Sequence, residues 1–435
     1  MRYKEYKKVD IPWLNKVPSH WEIKNVNNLF DERREKVSDK DYPPLSVTKN
    51  GILPQLENVA KSMASDNRKK VLEGDFVINS RSDRKGSSGL SSYDGSVSLI
   101  STVIKPRLGF NKFWHYLLKS NDFIEEFYRN GKGIVADLWT TNFQSMKSII
   151  LPFPQKEEQE QIARFLDWKI NEIDRLIELE KQKIKKLEIN FTIIINNIFN
   201  AVEGEKVKLK YIFDFGKGLN VTKDDLSENG IKCISYGEIH GKNRFSFSSD
   251  DKNLKSLGSH VKLNTFANLN QGDFVFCDTS EDLEGSGNFS YKKDPGIVYA
   301  SYHTIVAKPK VNFNSEYIAY FFESYLWRAQ IRANVKGIKV YSITQFILKD
   351  SYIILPDIYT QKKIVKNLNH FKEKKINLAN NISATIKSLE SLKQSLISDV
   401  VTGRLDVRGI EIPNYDKVYN IEDDAMLGEN FEEGV

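Results

Sequence analysis

The 435 residues include only two cysteines, Cys233 and Cys277, too few for a disulfide framework, and six histidines too scattered to suggest a metal site. Long apolar runs are also missing. The most apolar stretch, FTIIINNIF from Phe191, is too short and too polar to span a bilayer. The start, MRYKEYKKVD, is charged from its second residue and lacks the apolar core of a secretory signal. A soluble, cytoplasmic protein that carries no cofactor is expected. No G-x-x-x-x-G-K-[ST] loop occurs, so ATP hydrolysis has no phosphate cradle. Two strings approach catalytic motifs and fall short. Asp41-Tyr-Pro-Pro44 is followed by Leu45, not by the aromatic residue of the adenine methyltransferase turn, and reads as a turn before a strand. Pro356-Asp357 and Glu373-Lys-Lys375 have a nuclease-like spacing, but Glu373 falls inside a helical pattern instead of on adjoining strands. Gly131-x-Gly133 and Gly285-x-Gly287 read as loop glycines. The chain is therefore expected to be no enzyme on its own.

Apolar content is ample: 40% hydrophobic residues with 25 Phe, 19 Tyr and 6 Trp can fill two separate cores. The net charge is +6, yet the segment from Glu411 onward holds eight acidic residues and one lysine, which leaves +13 on residues 1–410. A basic body of this kind suits a polyanion, because each neutralised phosphate releases counterions. The acidic end reads as a mobile or partner-docking appendage.

The second half restates the first. Glu73-Gly-Asp-Phe-Val-Ile-Asn79 matches Gln271-Gly-Asp-Phe-Val-Phe-Cys277, and Ser-Thr-Val-Ile-Lys-Pro at Ser101 matches His-Thr-Ile-Val-Ala-Lys-Pro at His303. Phe113–Leu117 answers Tyr317–Phe321, and Gly133-Ile134 answers Gly337-Ile338. Ile149-Ile-Leu-Pro152 with Gln159-x-x-Ile162 answers Ile353-Ile-Leu-Pro356 with Gln361-x-x-Ile364. The offset stays at 202 to 204 residues in the later part, which marks a duplicated unit of about two hundred residues rather than a solenoid.

Each unit reads as an α/β (mixed α+β) domain followed by a long helix. In the first helix Ile162, Leu166, Ile170, Ile173, Ile177, Ile184, Leu187, Phe191, Ile194 and Ile198 recur at spacings of three and four, with Glu180 in the one missing place. In the second, Ile364, Leu368, Phe371, Leu378, Ile382, Leu389, Leu392, Leu396 and Val400 do the same. So narrow a stripe buries itself against one other helix. The expected fold is two duplicated globular domains joined by two long helices that pair as an antiparallel coiled coil, with pseudo-two-fold symmetry. The boundaries are residues 1–155 for the first domain, 156–202 for the central helix, 203–357 for the second domain, 358–402 for the C-terminal helix and 403–435 for the acidic tail.

Two diverged domains held apart by a rigid spacer suit a quasi-symmetric polyanion, and double-stranded DNA is that ligand. The candidate contacts lie in loops. Asn79, Ser80, Arg81, Ser82, Arg84 and Lys85 follow a strand and offer cations among small polar groups, the types that reach guanine edges and phosphates. Lys132 and Trp139 in the first unit match Lys336, Lys339 and Tyr341 in the second. The counterpart of the basic loop, Asp278–Glu284, is acidic, so the two halves are expected to read different sequences.

The opening Ile11-Pro-Trp13 through Val17-Pro-Ser-His-Trp21, the Gly-Asp-Phe turns, the Leu-Pro and Gln-x-x-Ile blocks, and the terminal Leu396-Ile-Ser-Asp-Val-Val-Thr-Gly-Arg404 together resemble the specificity subunits of type I restriction-modification enzymes. The resemblance covers residues 1–408. It implies that each domain is a target-recognition domain reading half of a split target, and that the helices dock modification (methyltransferase) subunits. S-adenosylmethionine, ATP and magnesium would then be used by the modification and restriction (translocase and nuclease) subunits. The second unit departs from the usual pattern after Pro356, where Asp357-Ile-Tyr-Thr replaces the Phe153-Pro154 stretch, which leaves the start of the second helix open by a few residues. A stand-alone tandem DNA-binding regulator or adaptor is the rival reading, and a self-sufficient nuclease a third.

Overall fold

The repeated Gly-Asp-Phe motif marks the entry to the central strand of each half, and each of its residues has a separate task. Gly74 and Gly272 sit at φ of +84° and +91°, a left-handed conformation open to glycine because it lacks a Cβ. Asp75 and Asp273 fold back to accept the backbone N–H of Leu72 and Asn270, both at 2.8 Å. Phe76 and Phe274 are fully buried and begin the strands Phe76–Asn79 and Phe274–Cys277. A computed structural model of the chain describes residues 2–55, 66–133, 139–227 and 229–417.

The duplication extends to strand order. One half has the antiparallel order Ser88–Leu90, Phe76–Asn79, Ser101–Pro106, Phe30–Glu32. The other repeats it as Phe289–Lys292, Phe274–Cys277, Thr304–Pro309, Phe213–Lys217, with Phe245–Phe247 added in parallel at the edge. The aromatic-rich stretch of each half forms two short helices, Asn111–Lys119 with Asn121–Arg129 and Ser315–Glu323 with Tyr325–Arg332. Ser120 and Ser324 separate them, each hydroxyl donating to a carbonyl of the preceding turn, Leu117 and Phe321. Phe113, Trp114, Leu117, Tyr317, Phe321 and Phe322 are fully buried on these helices.

The Leu-Pro and Gln-x-x-Ile blocks also have a physical reason. Ile150–Phe153 pairs with Glu22–Asn25, and Tyr352–Leu355 pairs with Glu205–Lys208, so the last strand of each domain closes on a strand near that domain's start. Gln159 then donates to the Pro154 carbonyl at 2.8 Å and accepts from Phe110 N–H at 2.7 Å. Gln361 makes the equivalent bonds to Pro356 and Asn314, both at 2.8 Å. These buried amides lock the start of each long helix to its domain. The helices run Lys156–Ala201 and Ile358–Val401. Asp357 caps the second, its carboxylate accepting from Tyr359 N–H at 2.9 Å and Thr360 N–H at 3.0 Å. The Pro356-Asp357 pair is thus part of a helix start, and Glu373 lies on the helix itself.

The chain divides into two compact units, Met1–Lys181 with Ser383–Val435, and Gln182–Ile382. In the first, the start of one long helix meets the end of the other: Ile162 and Leu166 share a core with Ile397, Val400 and Val401, and Lys393 pairs with Asp174 at 2.7 Å. In the second, Ile195 and Phe199 share a core with Val365 and Leu368, and Lys375 pairs with Glu188 at 2.7 Å. The two helices therefore run antiparallel. The apolar stripe is only part of what they bury. Ile195 and Phe199 lie beside it and are more buried than Ile194 and Ile198, because Phe199 packs edge-on against Tyr317 and Phe321 of the second domain. Residues 403–417, the first part of the acidic tail, lie on the first unit. Val407 is fully buried, and Gln161 donates to the carbonyls of Val407 and Ile410 at 3.0 and 2.8 Å. The remaining acidic residues, from 418 onward, lie outside the described residues.

One half-buried histidine makes the first unit sensitive to acid. His115 receives the Leu90 N–H at Nδ1 and lies edge-on to Phe76. Burial first, then the nearby Lys119 and Lys112 against the opposing pull of Asp167, bring its pKa down to about 4. The unfolded chain takes up this proton near pH 6.5 and the folded one does not, so stability falls as pH drops through that window. Unfolding at pH 5 is expected to require about 2 kcal/mol less than at pH 7 from this group alone. Chemical denaturation at the two pH values checks it, and a His115→Gln chain that keeps the full pH dependence would place the cause elsewhere.

Candidate nucleic-acid interface

Two stretches of the first unit, about 50 residues apart in sequence, meet at one edge of its central sheet. After the strand Phe76–Asn79, Arg81 forms an antiparallel bridge with Thr140, which in turn bridges Lys132. Thr141 N–H donates to Ser80 O at 3.0 Å, Ser82 N–H to Trp139 O at 3.1 Å, and Thr140 N–H to Lys132 O at 3.0 Å. Backbone bonds thus fix where the loop side chains start. Arg81, Arg84 and Lys85 are exposed. Arg81 and Arg84 lean toward Asp83 at 3.3 and 3.9 Å, and Lys85 bonds both Glu125 oxygens at 2.7 Å. Exposed pairs of this kind contribute little, so a phosphate or a base edge displaces them at small cost.

The second unit has the same backbone pattern with different side chains. Thr279–Ser280 pairs with Tyr341–Ser342; Ile343 N–H donates to Asp278 O at 2.8 Å and Ser342 N–H to Lys336 O at 3.1 Å. These bonds equate Asp278 with Ser80, Thr279 with Arg81, Tyr341 with Trp139 and Lys336 with Lys132. Lys336 and Lys339 are exposed, and among the described residues neither forms an ion pair. Asp278 is held by His303 at 3.1 Å, and Glu281, Asp282 and Glu284 make the adjoining loop acidic. One edge is therefore cationic along its loop, while the other concentrates cations on its Lys336–Tyr341 side.

Beneath the second edge lies a chain of polar contacts centred on the buried Arg328 and Asn288. Glu323 accepts from Arg328 at 3.1 Å and Arg244 at 2.8 Å. Arg328, 3% exposed, also donates to Asn288 Oδ1 at 3.0 Å and Ser286 O at 3.3 Å. Asn288 Nδ2 donates to His240 Nδ1 at 2.9 Å, and His240 Nε2 donates to Thr279 O at 3.0 Å, a tautomer fixed by these partners. Burial pushes the Glu323 carboxyl up, but Arg328 and Arg244 outweigh it and hold the carboxyl below its ordinary range. The chain ends on the backbone of the edge itself.

The sequence-predicted contacts are not equivalent in space. Ser80 is a correction: it is buried, and its hydroxyl is shared with Thr102 Oγ1 at 2.8 Å, so it braces the loop and presents nothing to a ligand. Asn79 is half-buried, with Oδ1 accepting from Arg81 N–H at 3.2 Å. Trp139 is half-buried too; its Nε1 donates to Tyr128 O at 2.8 Å and its ring lies so close to Gly131 that any Cβ there would overlap it. Ser82 and Tyr341 are partly exposed within the backbone pairing. Of the matched Gly-Ile pairs, Ile134 lies outside the described residues. Thr140, Ser342, Asn288, His240 and Arg328 carry no local motif, and sequence reasoning missed them. The 202-residue offset that links Thr140 to Ser342 is the one signal that could have found that pair.

Among the described residues no group of His, Cys, Asp or Glu is arranged to hold a metal ion, and no helix is long and apolar enough to cross a membrane. Comparison with known proteins gives a consistent result. Residues 18–189 and 202–388 match a family model described as type I restriction modification DNA specificity domain. The type I restriction enzyme MjaVIII specificity subunit of Methanocaldococcus jannaschii is 22% identical over 426 residues, covering 91% of this chain and 95% of that protein. A solved structure described as the structural basis underlying complex assembly and conformational transition of the type I R-M system has a TM-score of 0.60 at 15% identity. It covers 89% of this chain and 99% of that one, a likeness of fold. The HsdS subunit from Thermoanaerobacter tengcongensis has a TM-score of 0.44 at 16% identity, over 89% of this chain and 98% of its own.

Proposed function

The chain belongs to the family of type I restriction-modification DNA specificity subunits, and from that membership we propose that the two backbone-paired edges are its reading heads, each facing half of a bipartite target. The observation that carries this is the common scaffold with divergent chemistry: one set of backbone bonds presents Arg81, Arg84, Lys85 and Lys132 in one unit, and Lys336, Lys339 and Tyr341 in the other. Cations at both edges position phosphates, and their different neighbours select different bases.

The chain itself is non-catalytic and takes no cofactor. It works in the cytoplasm with modification and restriction subunits, which use S-adenosylmethionine, ATP and magnesium. Docking of modification subunits on the long helices is supported by apolar side chains that these helices leave about half exposed: Leu176, Leu179, Ile189, Ile193, Leu378 and Leu392.

Arg81→Ala with Arg84→Ala tests the first head. In the assembled complex, loss of a contact bidentate to guanine is expected to cost about 1–3 kcal/mol and relax selection at one position, whereas a phosphate contact alone lowers affinity for all sequences alike. Titration with target and scrambled duplexes separates the two. Unchanged affinity for both duplexes, with the fold intact, would assign the loop to solvent and remove this edge from the proposal.

A further inference from the structure

Ile338 is 94% exposed, more than any other large apolar side chain among the described residues, and Val340 beside it is 53% exposed. A single exposed isoleucine needs no explanation on most surfaces. This one stands in a defined setting. The Ser342 to Lys336 backbone bond and the Tyr341–Ser280 pairing close the base of the loop, so residues 337–341 form a short loop whose ends are held together. Gly337 turns the loop at φ +153°, and a Cβ there would overlap the Val340 carbonyl. Exposed Lys336 and Lys339 flank Ile338. The result is an apolar tip between two cations, on a base whose shape is set by backbone bonds.

We propose that Ile338 reads the 5-methyl group of a thymine in the half-site held by the second unit, an inference that rests on the assignment of this edge as a reading head. The major groove, about 12 Å wide, admits elements as broad as a helix or a two-stranded ribbon, so a short loop fits, and there the thymine methyl is the apolar group that a base pair presents. An isoleucine side chain has no donor or acceptor, so it cannot read the polar edges of guanine, cytosine or adenine. It can bury against a methyl, and its full exposure in the free protein leaves all of that burial to be gained on binding. Lys336 and Lys339 hold phosphates as the tip enters the groove. The chain order Gly-Ile recurs at Gly133-Ile134, which gives the first unit a residue of the same type at the matching place in sequence.

The experiment uses the complex assembled with its modification subunits and duplexes in which each thymine of the recognised half-site is replaced in turn by deoxyuridine, which lacks only the methyl. One replacement is expected to weaken binding by the wild-type complex about fourfold, the worth of one buried methyl. The Ile338→Ala complex should bind the thymine and deoxyuridine duplexes equally. If no single replacement distinguishes the two complexes, the inference is overturned. It is overturned as well if Ile338→Ala weakens binding to all sequences alike while fluorescence of an internal 2-aminopurine reports lost unstacking, since Ile338 would then be a wedge between base steps. Lys336→Ala with Lys339→Ala separates this failure from that of the underlying assignment. That variant should lose affinity on every duplex, and unchanged binding would remove the second edge as a reading head and Ile338 with it.

Discussion

A chain in which residues 206–355 are replaced by the matching segment of a relative should direct methylation to a target with one half changed and the other retained. The two ends of the segment are adjacent in the fold: Lys206 pairs with Ile354 and Glu205 with Leu355 in the closing ladder, so the exchange enters and leaves through one pair of strands. Its core is largely its own, built on Phe274, Phe276, Phe289 and Phe322. The exception is the seat of the long helix, where Phe199 packs on Tyr317 and Phe321 and Tyr320 bonds Asn369 at 2.6 Å. A donor that keeps aromatic residues at these three places is therefore expected to fold on this helix. Each mismatched base pair costs about 1–3 kcal/mol, so affinity for the original target should fall by about two orders of magnitude or more. Sequencing of methylated positions decides the matter. A change in both half-sites would refute independent reading.

Removing one buried cation should cost the second unit more stability than any surface change. Arg328→Met keeps most of the stem but leaves Asn288 Oδ1 and Ser286 O without their donor and Glu323 with Arg244 alone. Breaking a buried pair from one side typically costs 3–5 kcal/mol; since Arg244 still serves Glu323, about 3 kcal/mol is expected. Asn288 then loses the restraint that aligns it on His240, and His240 is what holds the Thr279 carbonyl. Hydrogen exchange should therefore quicken around residues 278–288, and base selection should weaken at the second half-site while the first keeps its preference. Equal exchange in wild type and variant would show that this chain of contacts does not hold the edge.

The duplication and the two long helices could be read from the residues because each leaves a local or periodic trace. Gly74, Asp75 and Phe76 reappear as Gly272, Asp273 and Phe274 because one turn geometry demands those types twice. Gln159 and Gln361 recur because each satisfies a carbonyl and an N–H at a helix start. What stayed hidden depends on contacts distant in sequence. A periodic stripe shows one helix face, so Ile195 and Phe199, which turn toward a domain, did not stand out. Ser80 looked like a loop contact because nothing local reveals that Thr102 lies 2.8 Å from its hydroxyl. The equivalence of Arg81 and Thr279 rests on backbone bonds alone, and such bonds leave no mark on side-chain identity.

The first unit is built from two separated segments, Met1–Lys181 and Ser383–Val435, with the second unit between them, and this sets an order of events during synthesis. Residues 182–382 are continuous, so the second unit has all its parts once they have left the ribosome. The first domain, though translated earlier, must wait. Its core includes Ile397, Val400, Val401 and Val407, and Gly403 lies directly against Pro18 and Trp21. Until those residues are made, the apolar surface around Trp21 and Leu166 stays open in the nascent chain and available to chaperones or to misassembly. The domain that is translated first is the last to close.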